Sequence, residues 1–384
     1  MTAFAAKKDA FKTSKDLVLQ SIGGLGFRPA GVVAWWARES QPATRSSNCG
    51  GIGFWTEKES AAVAWSSVDG TASSTTARVA DSAALLGLSE AGTEVALRAH
   101  VESFDQDGVT LRYTTSPEED WVVHFLALGG SIQDQRVGWI SSQSAVVSRK
   151  TGFWPTKSGV VLLGVAPLEL GVVSRSLAVI FGAADTRSAA VAGYACPDGS
   201  PPGDVTGMQR RGATPFAWPT LGGPSQLCYL SLDGLRAKVG TDVSPRDGGR
   251  RHTRVGFRPG ALILFSWGLP SSPAVASIGR LCIGGWTSDR TGCISWDDRN
   301  VKADETRTHA RSSLQEPLVV TDTRTGGIHA QATLTSVDDR GFTLDWTNDG
   351  GQREFAYVTL GGASTRGRAT RALGRISRPA RTEM

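Results

Sequence analysis

The segment Gly26-Phe27-Arg28-Pro29-Ala30-Gly31-Val32-Val33-Ala34-Trp35-Trp36 joins a Gly-Phe-x-Pro motif to an unbroken apolar run. The motif returns as Gly256-Phe257-Arg258-Pro259 and again leads into an apolar run, Leu262 to Phe265. Short runs of branched and aromatic residues, preceded by proline and followed by turn residues, are typical of buried central strands. The recurrence predicts a chain built from repeated units.

Other features recur at nearly the same offset. Trp55 and Trp65 are followed 231 residues later by Trp286 and Trp296. Because tryptophans matched between two units are typical of sandwich cores, we expect these four side chains to be structural. Two further matches are residues 104–111 with 337–344 and residues 121–130 with 355–362, the latter ending each time on Leu-Gly-Gly.

A shorter and weaker copy lies between the two. It opens at Gly152-Phe153-Trp154-Pro155, continues into Val160-Val161-Leu162-Leu163 and closes at residues 227–234. The predicted order is therefore module, degenerate module, module. The predicted boundaries are 1–15 for an N-terminal arm, 16–135 for β-sandwich module 1, 136–236 for degenerate β-sandwich module 2, 237–362 for β-sandwich module 3 and 363–384 for an Arg-rich tail.

Strand patterns dominate each module. Residues 109–113 and 342–346 alternate with period two, as strands with one face on a core do. Helical periodicity is scarce, and only Val79 to Leu88 offers a possible short helix. We predict an all-β chain of three tandem β-sandwich or jelly-roll-like modules with a basic C-terminal tail, arranged in series as an elongated or arc-shaped body.

Two Asp-x-x-Gly segments, Asp105 to Gly108 and Asp338 to Gly341, lie between strand patterns and predict hairpin turns. A calcium site is the alternative interpretation of Asp105 and Asp107. We favour the turn because Asp107 is matched by Arg340 in the other copy, and arginine cannot replace a calcium ligand.

Composition excludes several classes. The chain has 384 residues, 40% hydrophobic and 20% charged, which indicates a folded globular protein. No apolar run reaches the ~18 residues of a membrane span, and the basic N-terminus predicts neither a span nor a cleaved signal peptide. The odd number of cysteines and the absence of a CxxC pair favour buried free thiols over a metal finger or a disulfide framework. The cysteines are Cys49, Cys196, Cys228, Cys282 and Cys293.

The residues that carry chemistry do not form a recognisable catalytic pattern. None of the five histidines has a metal-ligand spacing, and His124 is matched by Ala356 in the other copy. Paired acids at 118–120 and 297–298 are expected on solvated loops rather than across a sugar-cleaving site. We therefore predict a non-enzymatic protein with no catalytic residue, no metal site and no cofactor.

Two sets of residues remain as candidates for contact with partners. Trp139 and Trp154 lack matches in the outer copies, so they are the first candidates for an interface or a sugar-stacking site. The tail is a candidate for assembly with a neighbouring subunit or for contact with DNA, and a solvated disordered end is the third interpretation. Its arginines are Arg366, Arg368, Arg371, Arg375, Arg378 and Arg381.

Several of these motifs together resemble a group of bacteriophage and prophage proteins. They are the segments Gly26 to Trp36, Gly51 to Gly53, Val123 to Gly130 and Gly341 to Trp346. The resemblance covers the outer modules well and the middle one poorly. It implies a virion component built from repeated β-sandwich modules, similar to the small lectin-type sandwiches of tail appendages. Because the shared motifs are structural, no binding residue is transferred from it.

The sequence therefore predicts a structural component of a phage or phage-like particle, in the tail, baseplate or a fibre attachment point. The expected location is the virion, after assembly in the host bacterial cytoplasm. Expected partners are further copies of the chain, as a homo-oligomer, and other virion proteins. Two alternatives stay open: a virion protein that binds a carbohydrate or other host receptor, and a capsid-associated protein whose basic tail faces DNA.

Overall fold

The computed structural model describes most of the strands of the chain. No α-helix occurs in the described part, and the sheets are antiparallel, as predicted for an all-β chain. The described residues are 3–13, 15–38, 44–45, 48–68, 75–142, 146–147, 159–167, 171–174, 179–185, 189–194, 216–217, 225–266, 278–301, 305–322, 325–348 and 351–361.

A seven-stranded sheet and a four-stranded sheet form the first sheet pair. The large sheet has the order β1-β11-β3-β5-β6-β7-β15 and the small sheet the order β2-β10-β9-β8. The large sheet comprises β1 (Ala5–Thr13), β3 (Pro29–Arg38), β5 (Asn48–Trp55), β6 (Ser60–Ser67), β7 (Thr75–Asp81), β11 (Trp121–Gly129) and β15 (Gly171–Ser174). The small sheet comprises β2 (Leu19–Ile22), β8 (Leu85–Leu88), β9 (Val95–Asp105) and β10 (Gly108–Thr115).

The second sheet pair repeats this arrangement. Its large sheet has the order β20-β29-β22-β23-β24-β25-β4, and its small sheet the order β21-β28-β27-β26. The large sheet comprises β4 (Thr44–Arg45), β20 (Arg236–Val243), β22 (Ala261–Ser266), β23 (Ile278–Thr287), β24 (Thr291–Val301), β25 (Glu305–Ser313) and β29 (Glu354–Gly361). The small sheet comprises β21 (Gly249–Arg254), β26 (Leu318–Thr321), β27 (Ile328–Asp338) and β28 (Gly341–Asn348).

A five-stranded middle sheet lies between the pairs in sequence. Its order, β12-β19-β14-β16-β17, places strands as β1, β11, β3, β5 and β6 are placed in the first large sheet. It comprises β12 (Asp134–Ser142), β14 (Gly159–Pro167), β16 (Val179–Asp185), β17 (Ala189–Tyr194) and β19 (Ser225–Asp233), and the short strands β13 (Val146–Val147) and β18 (Phe216–Ala217) pair separately.

The apolar run that opens the first pair is buried on both faces of its sheet. On β3, Val32, Ala34 and Trp36 contact a core that includes residues of the small sheet. The alternate residues, Val33 and Trp35, face a different core on the other side. A strand covered on both faces must be apolar throughout, which explains why this run shows no polar alternation.

One core is shared by the two large sheets and the middle sheet, which together are called the three large sheets below. It contains Val33 and Leu126 of the first sheet, Leu162 and Leu230 of the middle sheet and Ile263 of the second large sheet. The predicted elongated or arc-shaped body is therefore wrong for the described residues, because the sheets pack against one another instead of following in series. An unbroken apolar run shows that both faces of a strand are buried, but it does not show what buries them.

The Gly-Phe-x-Pro and Leu-Gly-Gly motifs recur together because they touch. A Cβ on Gly129 would lie 2.7 Å from the ring of Phe27, and one on Gly361 would lie 3.0 Å from the ring of Phe257. The first distance is shorter than real Cβ contacts and the second is at their lower limit, so a larger residue at either glycine would have to displace the phenylalanine ring.

The Asp-x-x-Gly segments are hairpin turns, as predicted. Asp105 ends β9 and Gly108 begins β10, and the second pair has the same turn between β27 and β28. Asp107 accepts hydrogen bonds from the backbone N–H groups of Gly24, at 3.1 Å, and Gly26. This carboxylate thus holds the loop that carries the Gly-Phe-x-Pro motif.

Three other expectations are tested by the described residues. The possible helix at Val79 to Leu88 is wrong, because β7 and β8 occupy this segment. Of the matched tryptophans, Trp55, Trp65 and Trp296 are fully buried, and Trp286 is half-buried against the core of the second pair. Four cysteines are buried free thiols, as predicted, and Cys196 lies outside the described residues. These thiols are Cys49, Cys228, Cys282 and Cys293.

The described part of the chain contains no helix that is long and apolar enough to cross a membrane.

Candidate functional site

The large sheets meet at junctions that use corresponding positions. Lys8, Val137 and Val239 lie opposite Leu126, Leu230 and Val358 on the neighbouring strands, and so hold the same place in their sheets. Three residues at the ends of corresponding strands, Thr56, Asp185 and Thr287, are matched in the same way. At each junction the end of one strand, β5, β16 or β23, lies near the edge strand of another sheet. These edge strands are β12, β20 and β1, in the same order.

Two of these junctions have the same hydrogen bond. The backbone N–H of Lys8 donates to Thr287 Oγ1 at 3.2 Å, and the backbone N–H of Val239 donates to Asp185 Oδ2 at 2.7 Å. The first contact joins the second sheet pair to the first pair, and the second joins the middle sheet to the second pair. A side-chain acceptor in both places satisfies a backbone donor of a first strand, which stabilises the junction.

The junction between the second and first pairs contains a buried polar cluster. Lys8 Nζ lies 2.9 Å from His124 Nδ1 and donates to the carbonyl of Thr291 at 3.2 Å. His124 Nε2 lies 2.9 Å from Ser312 Oγ. Both Lys8 and His124 are fully buried, at 1% and 0% exposure. Side chains from both sheet pairs therefore complete one hydrogen-bond network.

Burial controls the charges in this cluster. Desolvation lowers the pKa of Lys8 to about 8, although Cys293 and Asp9 favour its charged form. Desolvation, followed by the charge of Lys8, lowers the pKa of His124 well below its usual range. His124 is therefore neutral at pH 7, accepting at Nδ1 and donating at Nε2.

The junction between the first pair and the middle sheet is different, because it holds an open cleft. The cleft has a volume of about 410 Å³. This is within the range of about 300–1,000 Å³ that is usual for small-ligand sites. Its walls come from four places: the turn between β5 and β6, the connection between β7 and β8, β9 of the small sheet and β12 of the middle sheet. The lining residues are Thr56, Glu57, Lys58, Glu59, Ser60, Ser82, His100, Val101, Val137, Gly138 and Trp139.

Trp139 is the large aromatic side chain of this cleft. It lies on β12, the edge strand of the middle sheet, opposite Cys228. It is half-buried, packing against the shared core while also lining the cleft. The corresponding positions are Ala10 and Thr241, opposite His124 and Ala356. Only this one of the three first strands therefore has a tryptophan at its junction.

The polar residues of the cleft surround the indole. Thr56 is buried and fixes the turn, since its N–H donates to the Glu59 carbonyl at 2.8 Å. The side chain of Ser60 donates to the Ser82 carbonyl at 2.7 Å. Glu57 forms an exposed ion pair with Arg28 at 2.8 Å. The turn is thus held in shape by its own hydrogen bonds while its carboxylates stay accessible.

Tyr229 lies next to this wall. A Cβ on Gly138 would lie 2.8 Å from the Tyr229 hydroxyl, so the absence of a side chain there leaves room for the phenol. Desolvation raises the pKa of Tyr229, and the charge of Glu59 raises it further. The Glu59 carboxylate therefore acts at close range on this side of the cleft.

The other sequence candidates lie elsewhere. Trp154 and the six tail arginines fall outside the described residues, so their predictions remain untested. Glu118 and Glu119 are exposed on the connection to β11, as expected, and Glu119 pairs with Arg38. The solvated-loop prediction for Asp297 and Asp298 is wrong, because both lie on β24 and are fully buried.

The buried Asp297 is part of a second network between the pairs. Its carboxylate lies 2.8 Å from His309 Nδ1 and accepts a hydrogen bond from the hydroxyl of Thr321. Its backbone carbonyl accepts from Asn48 of the first pair at 3.2 Å, and Asn48 accepts from the indole of Trp65 at 3.0 Å. These hydrogen bonds replace the water that an exposed carboxylate would bind, and so they offset the cost of burying Asp297.

Sequence reasoning missed the polar part of the cleft. Glu59, His100 and Lys58 carry no motif, and their convergence depends on how β12 meets the turn between β5 and β6. The one available signal was Trp139, which lacked a match in the outer copies. Among the described residues no group of three or more His, Cys, Asp or Glu side chains is arranged to hold a metal ion.

A scan against models of known protein families finds no match to the chain, and a search of curated proteins finds none either.

Proposed function

We propose that the chain is a non-enzymatic structural component of a phage or phage-like particle. It consists of three β-sandwich modules, the middle one degenerate, closed on one another as a ring. The observation that carries this proposal is the core shared by all three large sheets. A body with one core across three modules resists bending at the links between them, and this is the property that an attachment block or spacer needs.

The junctions support a closed ring. The first module meets the middle one at Thr56 and Val137, which line the same cleft. The middle module meets the third through Asp185 and the backbone of Val239. The third returns to the first through Thr287 and Lys8. A head-to-tail contact repeated three times and then closed describes cyclic threefold symmetry, here within one chain.

Exchanged strands support the same arrangement. β4, from the segment between β3 and β5 of the first module, pairs with β25 of the third. β15, from the corresponding segment of the middle module, pairs with β7 of the first. The corresponding segment of the third module, 267–277, lies outside the described residues. Both exchanges have the same direction around the cycle. The first module contributes a strand to the third, and the middle module contributes a strand to the first.

The ring also indicates how the protein would assemble. Because the module-to-module contacts are used within one chain, further copies and other virion proteins must bind other surfaces. The particle itself is supported by the sequence resemblance and by the absence of any need for a cofactor in the proposed role. Of the two alternatives, carbohydrate binding is supported by the open cleft at Trp139, whereas the basic tail lies outside the described residues.

The direct test is to purify the particles released by the bacterium that encodes the chain. Quantitative mass spectrometry of intact, salt-washed particles should find the protein at a fixed ratio to the major capsid protein. Immunogold labelling should place it at one position on the particle. Protein found only in the soluble fraction, with none in intact particles, would contradict the proposal.

A further inference from the structure

We propose that the cleft at Trp139 is a binding site for a pyranose-containing glycan. The proposal does not depend on the particle to which the chain belongs. It starts from a difference between two corresponding junctions. Between the third and first modules a charged pair occupies this place, whereas between the first and middle modules the space is open and lined by a tryptophan.

The junction between the third and first modules shows this space when side chains of the protein occupy it. Between the third and first modules, Asp9 on β1 forms an ion pair with Arg290 at 2.6 Å. Arg290 lies in the turn that corresponds to the one carrying Glu59. Gly138 stands where Asp9 stands, so the open junction lacks the acidic partner of this ion pair. The turn between β5 and β6 therefore lies across an open cleft from Trp139, whereas the corresponding turn forms an ion pair with Asp9.

The tryptophan is placed as a stacking platform. Its inner side packs on the shared core, which fixes the ring, and the rest of the side chain lines the cleft. Trp65 and Trp296 are fully buried in the core, whereas Trp139 keeps part of its surface exposed and lines the cleft. The faces of an indole ring are flat and apolar, and they match the axial C–H groups on one face of a pyranose ring.

Polar groups that lack intramolecular partners converge around it. Among the described residues, no hydrogen bond is made by the indole N–H of Trp139, the carboxylate of Glu59 or the imidazole of His100. The exposed ammonium of Lys58 lies beside them. Together they provide both donors and acceptors. Sugar hydroxyls are both donors and acceptors, so such a set satisfies them better than it would satisfy an apolar or a strongly charged ligand.

The test is saturation-transfer difference NMR on the full chain. The probes are the methyl glycosides of glucose, galactose, mannose, rhamnose, N-acetylglucosamine and N-acetylgalactosamine. At least one should receive saturation, most strongly at the protons of a single ring face. Trp139→Ala should weaken its binding by roughly tenfold or more, and Glu59→Gln by a smaller factor.

Two controls separate loss of the site from loss of the fold. Thermal denaturation of Trp139→Ala should show one cooperative transition, at a lower temperature than the parent chain because the contact of the indole with the shared core is lost. Thr241→Ala changes the corresponding position at the junction between the middle and third modules and should leave glycoside binding unchanged. Absence of saturation transfer to every glycoside would overturn the proposal. So would transfer that persists in a folded Trp139→Ala variant.

Discussion

At the scale of single residues, Lys8 and His124 illustrate how burial changes side-chain chemistry. A lysine on a half-exposed first strand is expected to reach solvent, and the sequence gives no sign that another module covers it. Here Thr291 and Ser312 of the second sheet pair lie within hydrogen-bond distance of Lys8 and His124 of the first pair. A hydrogen-bond network of this kind stabilises one arrangement of the two sheet pairs, because any other arrangement leaves buried polar groups unpaired.

The network predicts a specific loss of stability in acid. His124 has a folded-state pKa well below that of the unfolded chain, so the unfolded state binds more protons between the two values. Stability should therefore fall as the pH drops below about 6.5. The variant His124→Gln keeps an acceptor toward Lys8 and a donor toward Ser312 but does not titrate. The free energy of unfolding of the two proteins, measured by urea denaturation, should diverge by up to about 1.4 kcal/mol per pH unit.

The exposed His252 provides the control for this series. A His252→Gln variant, in which a surface imidazole is replaced in the same way, shows how much of any difference comes from the substitution itself. Parallel curves for the parent and His124→Gln below pH 6.5 would show that His124 is protonated without cost, which would contradict its burial against Lys8.

At the scale of strands, glycines on β5 and β23 set the distance between a large sheet and its small sheet. A Cβ on Gly53 would lie 2.5 Å from the carbonyl oxygen of Ala84, and one on Gly284 would lie 1.8 Å from that of Pro317. The two glycines correspond, and so do the two carbonyls, each of which directly precedes β8 or β26. One edge strand of each small sheet, β8 or β26, thus begins in contact with a glycine.

Replacing either glycine should force the sheets apart. We expect Gly53→Ala and Gly284→Ala to lower the free energy of unfolding by about 1–3 kcal/mol, the usual cost of overpacking a core. Gly31→Ala is the matched control. Its Cβ would find neighbours at 3.5 Å, an ordinary contact, and the corresponding residue is already Ala261. Thermal and urea denaturation would measure all three, and equal effects would argue against the close sheet contact.

A junction residue allows a second prediction at this scale. Asp185 is buried and accepts from the backbone N–H of Val239. Asp185→Ala should cost about 1–3 kcal/mol, because it leaves a buried donor without its acceptor. Asp185→Thr should recover part of this loss, since threonine serves at the corresponding positions Thr56 and Thr287. Equal stability of the alanine and threonine variants in urea denaturation would show that this hydrogen bond contributes little.

The repeated pattern explains why much of the strand content could be predicted from sequence. The run at β3 is apolar because both its faces are buried, and the Asp-x-x-Gly turns depend on local chemistry alone. The segment at Val79 to Leu88 was misread because its small apolar residues fit either period. Asp297 and Asp298 were misread because acids were expected at the surface, whereas partners from other strands bury both.

At the scale of the whole molecule, contacts between distant segments determine what the sequence could not show. The cleft needs β12 of the middle sheet beside the turn between β5 and β6, and the Lys8 cluster needs β1 and β11 beside β24 and β25. Both depend on how the sheets pack against one another, and the repeats in the sequence do not specify that packing. A repeat detected in sequence fits an open row as well as a closed ring.

The three large sheets share one core, so we expect them to unfold together. Leu162 of the middle sheet is fully buried in that core, so Leu162→Ala should cost about 2–5 kcal/mol. Native-state hydrogen exchange, followed by mass spectrometry, would measure this loss separately in β3, β14 and β22. We predict that the three strands lose the same free energy of protection. A loss confined to β14, with β3 and β22 unchanged, would contradict the shared core.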